Sequence, residues 1–378
     1  MMLQASTANN ALSEQEKLDW LRLYRTENIG PITFYKLLER YGDAEKALLA
    51  LPGLGKKGGR KKPLTAPAMQ AIEAEYEALK KVGGDIVTAS CPEYPMALSA
   101  IDDAPPVLSY LGDITLANKS CIALVGARNA SINGRKFAEK IARDLGARGQ
   151  IIASGLARGI DTAAHKGALE TGTIAVVAGG IDIVYPQENT ELFHQIREKG
   201  LILAESPWGQ EPVARLFPRR NRIVSGLSAA VIVVEATLKS GSLITARMAG
   251  EQGRDVMAVP SHPLDPRGQG PNHLIREGAT LIRNADDVIE IINNFSGNGL
   301  RDVLSTPQNF SINPVSNDDD VTEKTIEDIA EQLSFSAITV DELLRSCQLS
   351  ISALQMILLE LELAGRIERL PGNRVRLL

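Results

Sequence analysis

From residue 85 to residue 295 the chain alternates between short apolar runs and longer amphipathic stretches. The runs are CIALVG, QIIASG, TIAVVAGG, LILAES, AAVIVVEA, DVMAVP and ATLIR. Each is too short for a typical buried helix and has too few polar residues for a strand with one wet face. Each therefore reads as a strand covered on both faces. The stretches between them, such as NGRKFAEKIARDLGARG and SGSLITARMAGEQG, have the length and apolar spacing of helices. Strands regularly separated by helices form parallel sheets. Right-handed crossovers then lay helices on both faces of the sheet. The expected core is an α/β, Rossmann-like domain of six or seven parallel strands over residues 85–295.

The flanks have a different texture. Residues 1–13 lack the basic start and apolar centre of a secretion signal and are expected to be a short disordered lead. Residues 14–84 read as a helical domain. SEQEKLDWLRLYR opens on Ser13 as an N-cap and continues with helical apolar spacing. NIGPITFYKLLERYG and LPGLGKKGGRKKPLTAPAMQAIEAEYEALKK each place a glycine turn before a helix, as SAM-like or helix-hairpin-helix modules do. Two uses are open: hairpin N–H groups that hold a phosphate, or a plain helical bundle with glycine caps. Residues 296–320 have a linker composition.

In 321–378, TEKTIEDIAEQLS reads as a helix. TVDELLRSC and SISALQMILLELELAG read as helix, turn, helix, capped by Thr339 and Ser350. RIERLPGNRVRLL reads as a two-stranded wing around Pro371, Gly372 and Asn373. This winged-helix pattern holds six basic and nine acidic residues. Such a balance attracts phosphate poorly, so a protein contact is expected ahead of a DNA contact.

The net charge of −5 argues against a protein that coats DNA with its whole surface. A local basic groove remains open, because binding depends on where charge sits. Two clusters stand out: KKGGRKK at 56–62, with five basic residues in seven, and RLFPRRNR at 215–222, with four in eight. The three cysteines, Cys91, Cys121 and Cys347, are scattered and fit a reducing cytoplasm. The four histidines are equally scattered, so neither a metal nor a cofactor is expected. No uncharged apolar stretch reaches the length of a membrane span.

The candidate site lies at strand ends. SGLARGI, residues 154–160, joins the QIIA strand to a helix, and so stands on the carboxyl edge of the sheet, where such sheets bind ligands. There Ser154, Gly155 and Gly159 open the backbone, the helix start attracts anions, and Arg158 adds charge. Asp161 is expected as the N-cap of that helix and His165 as core. CIALVGARNAS places Gly126 and Arg128 at a second strand end. VVEATLKSGSLITARMA places Ser240, Gly241 and Ser242 at a third, with Thr245 in the first turn of the helix. None of these turns matches a dinucleotide fingerprint or a P-loop.

LFPRRNRIVSGLS supplies Phe217, Arg219, Arg220, Asn221 and Arg222. Arginine forks suit phosphate and stack on bases, and a basic groove with an aromatic platform holds single strands without reading sequence. The alternative is that Phe217 is core and that one or two of the arginines pair with carboxylates such as Glu205. Neither a Ser-His-Asp set nor paired catalytic carboxylates nor a cysteine nucleophile stands out, so no enzyme is expected. Glu235, at the end of VIVVEA, is expected to bind loop N–H groups.

SGLARGIDTAAHKGALE, FPRRNRIVSGLS and VVEATLKSGSLITARMAGEQGRDVMAVP, with VGARNAS before them and GPNHLIREGA after, resemble the DNA-processing protein A family (DprA, also called Smf). The resemblance spans roughly residues 107–285, and the two flanking modules suit the longer members. It implies a cytoplasmic, single-stranded-DNA-binding protein of natural transformation. Such a protein protects incoming strands, loads the RecA recombinase and dimerises through the Rossmann-like domain. Carried onto this chain, it implies a DNA site at Gly126, Arg128, the SGLARGID turn, Phe217 with the arginines after it, and SGS. Ala127 departs from the family, many members of which have serine there. The competing resemblance is to lysine-decarboxylase-like (LOG) phosphoribohydrolases, with Glu235 as the acid. Their PGGxGT motif is absent, and KSGSLIT stands in its place.

Overall fold

Seven parallel strands form where the seven apolar runs stand. The computed structural model describes residues 12–57 and 64–296, and residues 326–378 except 327–328, 331–332, 334–336, 348 and 371. Most of the expected lead, residues 58–62 of the basic run, residues 297–320 of the linker, most of the TEKTIEDIAEQLS helix and Pro371 of the wing lie outside the described residues. The chain divides into two compact units, Glu75–Asn309 and Leu12–Ala74 with Phe310–Leu378.

The elements run as follows. Four helices come first: α1 (Glu14–Tyr24), α2 (Pro31–Tyr41), α3 (Ala44–Lys57) and α4 (Met69–Lys81). Then come β1 (Asp85–Thr88), α5 (Met96–Ser99), β2 (Val107–Gly112), β3 (Cys121–Val125), α6 (Ile132–Gly146), β4 (Ile151–Ser154), α7 (Ile160–Ala168) and β5 (Thr173–Val177). The sheet continues with α8 (Thr190–Lys199), β6 (Leu201–Ala204), α9 (Leu216–Gly226), β7 (Ala230–Val233), α10 (Gly241–Glu251) and β8 (Asp255–Ala258), and ends with α11 (Gln269–Arg276), β9 (Thr280–Leu281) and α12 (Ala285–Ser296). The C-terminal region holds β10 (Ile338–Thr339), α13 (Val340–Ser346), α14 (Ile351–Leu363), β11 (Ile367–Leu370) and β12 (Arg374–Leu377).

The sheet order is β1-β2-β6-β5-β4-β3-β7-β8-β9. Every pairing from β6 across to β9 is parallel. β1 and β2 join antiparallel at one edge, an extension that the apolar runs did not announce. The strand side chains alternate between two cores, as a period of two requires. Cys121, Ala123 and Val125 of β3 pack with Ile223 and Val224 of α9 and with Leu227, its C-cap, on one face. Ile122 and Leu124 pack with Ala138, Ile141 and Leu145 of α6 on the other. β9 departs from the expectation of double cover, because Thr280 and Leu281 lie exposed at the far edge.

The second unit begins with α1, whose N-terminus is closed by a reciprocal capping box between Ser13 and Glu16. Gly30 and Pro31 start α2. The LPGLG stretch is not the expected turn. α3 runs through it with Pro52 inside, held by Leu51 and Leu54, which are both buried. In the winged-helix region Thr339 caps α13 with Glu342 as its reciprocal partner, and Ser350 caps α14. β11 and β12 form the wing, and β10 adds a third strand.

Candidate functional site

Strand order reverses at β3: β4, β5 and β6 follow on one side, β7, β8 and β9 on the other. Loops leaving neighbouring strands in opposite directions open a crevice, and ligands of such sheets bind there. A cavity of about 380 Å³ occupies that point. Gly126 and Arg128 line it from the loop after β3, Gly155 and Ala157 from the loop after β4, and Ser240, Gly241 and Ser242 from the turn that opens α10. Ser240 caps α10, accepting from the Ser242 N–H at 3.4 Å, so a helix N-terminus faces the cavity with hydroxyls around it. Partial positive charge and N–H donors of this kind favour an anion.

The arginine cluster is sorted by α9. Phe217, Arg220, Asn221 and Val224 line the cavity. That spacing is the i, i+3, i+4, i+7 stripe of one helix face. Arg219 and Arg222 point elsewhere. Arg222 is 6 % exposed; it donates to Glu205 and to the Asp103 backbone, and lies 3.4 Å from the Asp103 carboxylate. Arg222 is thus a buried structural cation rather than a groove residue. Arg219 is half-exposed, 3.8 Å from Glu205, and lines neither cavity described here.

Arg220 forms the floor. It is buried, and its Nη1 donates to Val176 O at 2.8 Å. Its Nε has no hydrogen-bond partner among the described residues. Burial lowers its pKa to about 10, which leaves it a cation at neutral pH. Asp161 lies in the same pocket floor. Burial raises its carboxyl, while Arg220 pulls the other way. Asp161 is not the expected N-cap, a place held by Gly159. From the first turn of α7 its Oδ2 instead accepts from the N–H groups of Gly155 and Ala157 at 3.2 and 3.3 Å, which fixes the loop around the cavity.

A second cavity, of about 1020 Å³, adjoins the first. The two share Arg128, Gly155, Ala157, Phe217 and Arg220. A row of three side chains starts at their shared wall, with Arg128 and Phe217, and continues into the second cavity with Tyr185. The Arg128 guanidinium lies 5.1 Å from the Phe217 ring centre, and the Tyr185 ring packs edge-on against Phe217 at 5.9 Å. Arg158 lines the second cavity, with Glu188 3.7 Å away at the exposed rim. Tyr185, which the sequence reading missed, is 46 % exposed. Arg267, also missed, lines the first cavity, with Asp265 3.0 Å away. Thr245 lines it too.

Two predicted residues stand behind the site. Ser154 is fully buried and donates to Leu124 O at 2.6 Å, within the sheet. Gly159 has φ +81°, and a Cβ there would collide with the Ala127 and Arg128 carbonyls. Its lack of a side chain lets the α7 turn press against the loop that presents Arg128. His165 is core: its Nδ1 meets Thr173 Oγ1 at 2.7 Å. Glu235 accepts from Ser131 N and Oγ at 2.8 and 2.5 Å and does not line either cavity.

Comparison with known proteins agrees with this architecture. The family described as DNA recombination-mediator protein A matches residues 85–293, its DprA-like N-terminal HHH domain matches 14–78, and the DprA winged helix domain matches 316–373. Protein Smf of Escherichia coli (strain K12) is 35% identical over 311 residues, 82% of this chain and 81% of its own length. The X-ray structure of DprA from Streptococcus pneumoniae superposes with a TM-score of 0.65 at 36% identity, covering 72% of this chain and 97% of that one. DprA from Helicobacter pylori, whose structure was described for its single-stranded DNA binding mode, superposes with a TM-score of 0.52 at 30% identity, covering 56% of this chain and 96% of that one. With a parallel α/β core between an N-terminal HHH domain and a C-terminal winged helix, this chain belongs to the DprA family of DNA recombination-mediator proteins.

Proposed function

We propose that the chain binds single-stranded DNA along the two joined cavities, shelters the strand and passes it to the RecA recombinase during natural transformation. The observation that carries this reading is the Arg128–Phe217–Tyr185 row, which runs from the wall the cavities share into the second cavity. Aromatic faces take bases of any sequence, and a cationic groove takes the backbone. The phosphates lie on the α10 N-terminus and on Arg128, above the Arg220 floor, while a base stacks on Phe217. The Helicobacter pylori relative supports the strand as ligand. RecA loading and a homodimer formed through the α/β unit rest on family membership. A dimer would hold one strand at two sites and gain by avidity. The phosphoribohydrolase alternative loses its acid, because Glu235 is committed to the start of α6.

The test is a titration of labelled single-stranded and duplex oligonucleotides at several salt concentrations, with the wild type beside Arg128→Ala. The expected result is tight, salt-sensitive binding of the single strand. Arg128→Ala should weaken it and flatten the log–log salt slope by about 0.7 if one phosphate contact is lost. Equal affinity and equal slope in the two proteins would refute the site, and no binding by the wild type would refute the function.

A further inference from the structure

In a helix-turn-helix module the second helix enters the major groove of duplex DNA with its outward face. Here that helix is α14, and three observations set it apart from a DNA reader. Its sequence, ISALQMILLELEL, contains no basic residue and two carboxylates. Its inner face, Leu354, Ile357, Leu358 and Leu361, fills the winged-helix core. Its other face is not free either, since Leu359 and Leu363 are also buried.

That other face meets the N-terminal helices, which belong to the same compact unit. α14 packs on α2 and α3. Gln355, Leu359, Glu362 and Leu363 follow the i, i+4, i+7, i+8 spacing of one helix face. At one end Lys36 of α2 donates to Gln355. At the other, Asn28 Nδ2 donates to Leu363 O at 3.4 Å. Between them Arg369 of β11 reaches Glu362 at 3.1 Å and Gln355 at 3.4 Å. Burial lowers Lys36 to a pKa of about 7, with Arg369 adding to the shift and Glu362 and Glu39 opposing it. A half-buried polar network of this kind favours one packing arrangement because its members are partners to one another.

We propose that α14 is a protein-docking helix whose partner is the N-terminal helical module of its own chain, so that the face a helix-turn-helix would present to duplex DNA is given over to α2–α3. The winged helix then acts as a clasp on the N-terminal module and makes no duplex readout while closed. This proposal is independent of the single-strand site.

The experiment is hydrogen exchange on the full-length protein, read segment by segment. In the wild type, α2 and α14 should be protected together, and adding a mixed-sequence duplex should leave α14 unchanged. Lys36→Glu places a carboxylate beside Glu362 and should raise exchange in α2 and α14 together, by about tenfold or more, if docking protects both. Gln355→Lys in the Lys36→Glu chain should restore protection in both segments, which a merely unfolded variant would not do. Exchange in β3–β8 should stay constant throughout and serves as the control for folding. Loss of protection in α2 alone, failure of the charge swap to restore it, or added protection of α14 by duplex would overturn the proposal.

Discussion

The guanidinium of Arg220 occupies the space where a side chain on Gly155 would begin, so the glycine after β4 and the arginine of α9 form one feature. A Cβ at 155 would collide with Nη1 of a buried cation that is itself bonded to Val176 O. Gly155→Ala should therefore displace Arg220 and cost about 1–3 kcal/mol of stability through overpacking. Urea unfolding reads the stability. Because Arg220 lies beneath both cavities, strand affinity should fall in the same variant. An unchanged unfolding midpoint would show that the loop gives way freely.

The aromatic row makes a separable prediction. Phe217→Ala and Tyr185→Ala should each weaken single-strand binding by about 1–3 kcal/mol, roughly five- to 150-fold in Kd, if each ring stacks on a base. Phe217→Trp should retain affinity. Fluorescence anisotropy measures both. Tyr185→Ala binding as the wild type does would confine the strand to the first cavity.

Arg222 and Arg128 should fail in opposite assays. Removing Arg222 leaves the Glu205 carboxylate buried without its main partner, so Arg222→Met should lose about 3–5 kcal/mol of stability while the folded fraction keeps its strand affinity. Adding Glu205→Leu should recover much of that loss. Arg128→Ala should keep stability and lose affinity. Thermal unfolding beside titration separates the two, and a loss of affinity in folded Arg222→Met would return that residue to the groove.

His165 sets a pH dependence. Burial, with a smaller contribution from Arg220, lowers its pKa to about 3. The unfolded chain therefore takes up a proton near pH 6.5 that the folded chain refuses. The neutral histidine's contribution to stability is complete above pH 6.5 and is lost as pH falls from there toward 3, by about 1.4 kcal/mol per pH unit. Asp161 has the opposite sign: its raised carboxyl favours the folded state at low pH. Comparing wild type with His165→Gln across that range isolates the histidine. A variant that keeps the full slope would assign it to other groups.

The sheet was readable from the sequence because a strand buried on both faces leaves a local signature, a short unbroken apolar run. β1 and β2 left none, because they lie outside the repeated strand–helix alternation and pair antiparallel at an edge. The site was legible only loop by loop. The four polar residues after Phe217 look alike in sequence. Reading 216–226 as a helix would have sorted Arg220 and Asn221 from Arg219 and Arg222 by spacing alone. The identity of Arg222's partners depends on tertiary packing, and Glu205 appeared in the sequence only as an alternative. Tyr185 had no such signal, since its loop follows no period and its ring meets Phe217 across 32 residues of chain.

The most direct measurement of the central claim is photocross-linking of a 5-iodouracil-substituted single strand to the full-length protein, with the sites mapped by mass spectrometry. The account predicts adducts on Phe217 and Tyr185, lost on competition with unlabelled single strand. Adducts confined to the winged helix or the N-terminal helices, with none on either ring, would contradict it.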